Sequence, residues 1–292
     1  MAQDDLTGTH ISEPMCEYLH YMMVTLTFLI LLPVTAYGHD RPAPESTPAS
    51  VDPGMNERVM NIPSGAGGSV RGIFCSPVRP RATLIMFPGG SGDIGLGQDG
   101  HIRHGDNFVV RTRGAWNRRG YAVLIPDTTG HVDLRGRRGS ATYARLVGDM
   151  IAFVRRQGSG PVFLLGTSQG AIAAVNGAAH AASGALAGVV LAEAVSVMGG
   201  SGETVFSAGP QAVRAPVLVV ANRDDRCNVA PPHYAGRIAA AMTGSRKVNV
   251  LMVAGGTKRS DRNCGSLTPH GYFGIENGVI AQISAWLDAN IR

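Results

Sequence analysis

From residue 57 onward, short apolar runs alternate with stretches whose apolar residues recur at helical spacing. The runs are 59–62, 70–75, 82–87, 121–125, 162–165, 187–191, 217–220 and 248–253. Several are continuous and partly β-branched, as in V-F-L-L at 162–165 and V-L-V-V at 217–220. Unbroken runs of this kind suit strands buried on both faces of a parallel sheet. Between them the pattern predicts helices near 106–119 and over 143–157, 169–182, 232–242 and 276–290. In the second of these, Leu146, Val147, Met150, Ile151 and Val154 form one apolar stripe. Strand alternating with helix implies an α/β architecture: a mostly parallel, eight-stranded sheet with right-handed crossovers and helices on both faces. No internal repeat or second domain is visible. The stretch 193–215 is too short for a large cap domain.

The N-terminus has a different character. Residues 21–37 read Y-M-M-V-T-L-T-F-L-I-L-L-P-V-T-A-Y, followed by Gly38. The apolar run is short for a membrane span and ends in a small-x-small site, as a cleaved signal peptide does. The expected organisation is a signal peptide over 1–38, a Pro-rich linker over 39–56 and a folded domain over 57–292. Residues 1–38 hold four acids and no Lys or Arg, against the usual signal pattern. The true start is therefore Met15, Met22 or Met23 on one reading. An uncleaved N-terminal membrane anchor is the other reading of the segment. Cleavage makes the protein exported, periplasmic or secreted, with no stable membrane insertion afterwards.

The whole chain carries 26 Lys and Arg against 21 Asp and Glu, a formal charge of +5. Loss of 1–38 raises this to +9. No dense basic run with interleaved aromatics appears, so a nucleic-acid partner is not expected. The tightest cluster, Arg135, Arg137 and Arg138, reads as solvated surface.

The candidate chemistry sits at strand ends. The run 162–165 leads into G-T-S-Q-G at 166–170 and then an Ala-rich helix. A sharp strand–turn–helix of this kind exposes Ser168 as a nucleophile at a helix N-terminus. The run 82–87 leads into P-G-G-S-G at 88–92. A Gly-rich loop there lets a backbone N–H, of Gly90 or Ser91, join that of Gln169 in an oxyanion hole. Neither a G-x-x-x-x-G-K-[ST] loop nor a dinucleotide fingerprint is present. After 217–220 comes A-N-R-D-D-R-C, with Asp225 as the expected acid, Asp224 as an alternative and Glu193 as a third candidate. After the last strand comes T-P-H-G-Y, with His270 as the expected general base. His101, His104, Arg111, Arg113 and Trp116 follow the Gly-rich loop and are placed to shape a substrate pocket. His131 lies in a loop after an earlier strand and, like His101 and His104, is placed to border the pocket, whereas His180 and His233 fall on helices in surface or core roles.

Together, F-P-G-G-S-G at 87–92, G-T-S-Q-G at 166–170, D-R-C at 225–227 and P-H-G at 269–271 resemble the α/β-hydrolase superfamily over roughly 57–290. The chain is also similar to a group of uncharacterised exported bacterial serine hydrolases through N-F-V-V-R-T-R at 107–113 and H-G-Y-F-G-I-E at 270–276. The resemblance implies the α/β-hydrolase fold and hydrolysis of an ester, thioester or amide, with no cofactor or metal. The expected partner is a small-molecule acyl substrate, a carboxylic ester by default. Peptidase or acyltransferase chemistry with the same triad, or a non-catalytic binding protein of this fold, are the alternatives. Cys227 and Cys264 lie in the acid and base loops, which should emerge on one sheet edge. A disulfide between them is expected, leaving Cys75 as a buried thiol. Cys16 leaves with the signal.

Overall fold

The computed structural model describes residues 56–291 apart from 66 and 159. The expected signal segment, and all of the expected linker except residue 56, lie outside the described residues.

Eight strands form one sheet: β1 (Glu57–Pro63), β2 (Ser69–Cys75), β3 (Ala82–Phe87), β4 (Tyr121–Pro126), β5 (Val162–Thr167), β6 (Gly188–Ala192), β7 (Val217–Asn222) and β8 (Val248–Val253). Their spatial order is β1-β2-β4-β3-β5-β6-β7-β8. The pairs β1–β2 and β2–β4 are antiparallel and the remaining pairs parallel. Six helices flank it: α1 (Phe108–Arg111), α2 (Arg113–Arg118), α3 (Ala141–Arg156), α4 (Gly170–His180), α5 (Ala235–Ala241) and α6 (Glu276–Asp288).

The strand sequences explain the two-faced core. Successive side chains on a strand point to opposite faces. On β5, Val162 and Leu164 join the cluster packed by α3, α4 and α5. Phe163 and Leu165 join the cluster packed by α1, α2 and α6. Neither face of β5 sees water, so the run is apolar throughout instead of alternating. The edge strand β8 is only partly covered, and Val250 is exposed.

The sheet is therefore the expected mostly parallel one, with no large cap among the described residues. Residues 193–215 contain two 3-10 turns, Val205–Ala208 and Pro210–Ala212. The helix expected near 106–119 is instead two short ones. They meet at Thr112, whose hydroxyl donates to the Phe108 carbonyl at 2.6 Å and whose backbone leaves helical geometry. The helix expected over 232–242 begins as a 3-10 turn, Pro232–Tyr234, and becomes α-helical only at Ala235. Pro231 and Pro232 have no N–H to give to a helical ladder.

Parallel register brings the carboxyl ends of the central strands level. Phe87 lies opposite Gly166, Thr167 opposite Ala192, and Ala192 opposite Val220. The chain leaves β3 toward β4 on one side, while β5 lies on the other. Loops diverge at such a switch point and leave a crevice beyond the strand ends.

Candidate active site

Ser168 occupies the turn between β5 and α4 with φ +53°, a left-handed conformation uncommon for a residue with a side chain. Its backbone N–H donates to Ala192 O at 2.9 Å, which ties the turn to the end of β6. Glycines on either side make the turn possible. A Cβ at Gly166 would strike the Gly170 carbonyl oxygen, and one at Gly170 would strike that of Phe87. Strand, turn and helix therefore approach one another at backbone contact, and Ser168 is lifted into the crevice at the N-terminus of α4.

His270 lies in a short 3-10 turn, Pro269–Gly271, capped by the Thr268 hydroxyl, which accepts the His270 N–H at 3.2 Å. Its ring is buried, and Nδ1 lies 2.7 Å from Asp225 Oδ2. A carboxylate only accepts, so Nδ1 carries a proton, and in the neutral ring Nε2 is then the free acceptor. Nε2 has no hydrogen-bond partner among the described residues. The other Asp225 oxygen accepts the N–H of Cys227 at 2.8 Å. The two loops are joined covalently, because Cys227 and Cys264 form a disulfide with Cα atoms 4.6 Å apart. Cys75 is buried and outside any disulfide. Two further side chains brace the histidine loop. Asn222, at the end of β7, donates to Gly255 O at 2.9 Å and Pro269 O at 3.1 Å. Arg111 donates to the Gly271 carbonyl and pairs with Glu276 at 3.0 Å.

The alternative acids separate clearly. Asp224 points elsewhere: its carboxylate accepts the Gly255 N–H at 2.6 Å. Glu193 is fully buried just past β6, with φ +45°. It faces Asp225 rather than taking its place beside the ring. Burial and the neighbouring Asp225 charge hold the Glu193 carboxyl well above the usual carboxylate range. One donor atom from each of Glu193, Asp225 and His270 lies within 4.8 Å of the others, a spacing that a metal ion accepts. Here Nδ1 and both Asp225 oxygens are already engaged in hydrogen bonds.

The loop after β3 lies directly over Ser168. A Cβ at Gly89 would sit 3.0 Å from Ser168 Cβ and 3.1 Å from Thr167 O. Gly90 follows with φ +61°. The backbone N–H groups of Gly90, Ser91 and Gln169 have no acceptor among the described residues. Arg138 supports this loop from behind. Its Nη2 donates to Pro88 O at 3.3 Å and Gly90 O at 3.1 Å. The guanidinium is buried, contrary to the solvated surface expected from its basic cluster, and burial lowers its pKa. Its own segment is held by Glu203, whose carboxylate accepts the N–H groups of Gly136, Arg138 and Gly139. No pattern in the sequence marks this role, because three neighbouring arginines in a Gly-rich stretch look alike until the fold turns one inward.

Ser168, His270 and the Gly-rich loop open onto one cavity of about 650 Å³. His101, His104 and Arg111 line it, as expected. Arg113, Trp116 and His131 do not, the His131 ring being turned to the Asp93 carboxylate at 3.0 Å. Arg113 is buried against Glu57 at 2.6 Å, and Trp116 packs edge-on against Tyr121. Both sit on α2, which turns that side toward the sheet. The loop wall is fixed by Asp127, whose two oxygens accept the N–H groups of Ile94 at 2.9 Å and Leu96 at 2.8 Å.

The architecture is that of the α/β-hydrolase fold. A family model described as serine aminopeptidase, S33, matches residues 98–201, a span that includes Ser168 but ends before Asp225 and His270. No curated protein matches the sequence. Among solved structures, the chain is similar to a dienelactone hydrolase from Anabaena variabilis (TM-score 0.59, 16% identity, covering 82% of this chain and 100% of that one). It is also similar to a cold-adapted esterase from an Arctic intertidal metagenomic library (TM-score 0.55, 14% identity, 83% and 97%). A Pyrococcus furiosus esterase is similar too (TM-score 0.57, 10% identity, 82% and 92%). At such identities the likeness is one of fold.

Proposed function

We propose that the protein is an exported serine hydrolase that cleaves carboxylic esters through an acyl-enzyme. The observation that carries this reading is the strained Ser168 opening onto the same cavity as His270, whose far ring nitrogen is bonded to Asp225. Ser168 Oγ attacks the acyl carbon while Nε2 of His270 takes its proton. Asp225 holds the ring in that tautomer and stabilises the imidazolium. The carbonyl oxygen becomes an oxyanion, received by the N–H of Gln169 and by that of Gly90 or Ser91. The tetrahedral intermediate collapses. The alkoxide leaves with the proton from His270, and Ser168 remains as an ester. Water then attacks, His270 takes its proton, and the acid is released with Ser168 restored.

Two observations support export: the Cys227–Cys264 disulfide, stable in oxidising compartments, and the apolar segment 21–37. Among the described residues no helix is long and apolar enough to cross a membrane. The serine aminopeptidase description of the matching family model favours amide bonds as a second reading.

A fluorophosphonate probe tests the nucleophile, and a p-nitrophenyl ester panel of graded acyl length tests the substrate class. Covalent labelling that disappears in Ser168→Ala, together with ester turnover, is the expected result. A folded wild-type protein that neither labels nor turns over esters defeats the proposal and leaves a binding protein. Turnover of aminoacyl amides in preference to esters moves the assignment to the peptidase reading.

A further inference from the structure

The proposed reaction uses one carboxylate, yet two lie side by side in the core. Glu193 and Asp225 are 1% and 3% exposed. They come from the ends of adjacent strands β6 and β7, and one oxygen of each carboxyl lies within 4.8 Å of the other. The titratable groups beside Glu193 come from two loops. Asp225 approaches from the loop after β7. His270 and Tyr272 approach from the loop after β8. The backbone N–H of Asn222 donates to Glu193 Oε1 at 2.7 Å. The Tyr272 hydroxyl also faces Glu193 but donates to Val220 O at 3.2 Å. No Lys or Arg is paired with either carboxyl among the described residues.

Two adjacent carboxylates buried beside one imidazole cannot both ionise, because their mutual repulsion is not screened by water. One proton must be shared, and donor counting says where it rests. Asp225 receives two hydrogen bonds, from Cys227 N–H at 2.8 Å and from the His270 ring at 2.7 Å. Glu193 receives one, at Oε1; its Oε2 is buried without a hydrogen-bond partner, the neighbouring Tyr272 hydroxyl giving its proton to Val220 O. A charged oxygen in that state is costly, whereas a protonated one can itself donate to Asp225. Backbone conformation also favours a dedicated arrangement. Ser168, Glu193 and Tyr272, all with side chains, have φ of +53°, +45° and +57° at this one edge of the sheet. Such strain persists where surrounding structure enforces it, and it gathers at functional sites.

We propose that Glu193 and Asp225 form a carboxyl pair that shares a single proton, with Glu193 as the neutral partner that donates to Asp225 and fixes it as the one charge facing His270. Glu193 is thus a positioning residue that acts through Asp225. Burial is the larger cause of its neutrality and the Asp225 charge the lesser, so Glu193 stays a neutral group when Asp225 is removed and has no carboxylate left to act through. The inference rests on the serine-hydrolase reading for its kinetic consequences, though not for its spectroscopic one.

The tests are Glu193→Gln, Asp225→Ala and the double variant, each confirmed as folded by its circular dichroism. Infrared spectra of wild type and Glu193→Gln at pH 7 should differ by the C=O stretch of a protonated carboxylic acid, present in wild type and absent in the variant. Glu193→Gln keeps a neutral donor, so the acid limb of its kcat/KM profile against pH should overlay that of wild type. Asp225→Ala and the double variant should show the same large loss of kcat/KM, because Glu193 acts only through Asp225. Three results overturn the pair: no protonated-acid band assignable to Glu193, an acid limb displaced to lower pH in Glu193→Gln (the sign expected if a negative charge beside the ring had been removed), or an Asp225→Ala variant clearly more active than the double variant, which would mean that Glu193 acts on the ring as a carboxylate without Asp225. Should wild type show the band but no ester turnover, the hydrolase reading fails while the shared proton stands. Ester turnover without the band has the opposite meaning: the shared proton is lost and the hydrolase reading survives.

Discussion

Ser168 is held in its conformation by neighbours that have no side chain, and magnitudes show how strongly. Gly170 begins α4, where helix propensity alone makes Ala better than Gly by about 1 kcal/mol. A Cβ there would meet the carbonyl oxygen of Phe87, which belongs to the end of a buried strand and has nowhere to move. Forcing extra volume into a close-packed site costs about 1–3 kcal/mol or more, so the collision outweighs the propensity gain. Gly170→Ala is therefore expected to lower the urea midpoint and ester turnover together, and a rise in stability would show that the strand gives way. Glu193 supplies a second prediction at this scale. Its carboxyl keeps its proton in the folded state well above the usual value of 4.5, whereas an unfolded chain releases it near that value. The folded state then binds the extra proton, so this group's contribution to stability is greatest below about 4.5 and diminishes as pH rises toward the folded-state value. Glu193→Gln lacks the titration. Between pH 5 and 8 its melting temperature should gain on that of wild type as pH rises, and parallel curves would contradict a retained proton.

Among elements, the loop after β3 shows how a segment with almost no side chains is given a fixed shape. Its Gly90 carbonyl and that of Pro88 are held by the Arg138 guanidinium, which sets the direction in which the intervening N–H groups point. Glu203 takes three backbone N–H groups and makes no hydrogen bond to that guanidinium, although the two charges attract. Arg138→Met preserves much of the buried volume and removes both donors. Loss of one aligned oxyanion donor costs about 10²–10³ in kcat, and a drop toward that range with KM little changed is the outcome expected here. An equal fall in kcat and rise in KM would assign Arg138 to the substrate pocket instead. These elements also show what the sequence could and could not reveal. The eight strands are legible because burial on two faces leaves an unbroken apolar run, as at 162–165. Ser168 and His270 are legible as residues because each directly follows a strand or strand-end loop with a distinctive glycine or proline neighbour. Asp225 and Asp224 are adjacent and alike, and only the fold shows that one bonds His270 while the other caps Gly255. Arg113 and Trp116 look like pocket residues in the sequence and are not. A four-residue helix followed by a break at Thr112 rotates α2 toward the sheet, and no periodicity survives over so short a span.

For the whole molecule, stability and chemistry meet at the Cys227–Cys264 disulfide. It closes 37 residues of sequence, which include α5 and β8, the last parallel strand and one with exposed residues along it. Closing a loop of that length removes about 3–4 kcal/mol of chain entropy from the unfolded state in the loop-closure account. For a domain of this size each kcal/mol moves the melting temperature by about 2–4 °C, so reduction should lower it by roughly 10 °C. Thermal melts with and without a reductant measure this directly, with Cys227→Ser/Cys264→Ser as the control that reductant must leave unchanged. The same bond also joins the two loops that carry Asp225 and His270, and the Cys227 N–H is one of the two donors to Asp225. Freed loops should let the 2.7 Å contact between Asp225 and His270 loosen even where the protein stays folded. Reduced protein assayed well below its lowered melting temperature is then expected to lose ester turnover before it loses secondary structure. If activity and circular dichroism instead fall together, the bond contributes to stability alone, and the two loops are held in place by Asn222 and Arg111 without it.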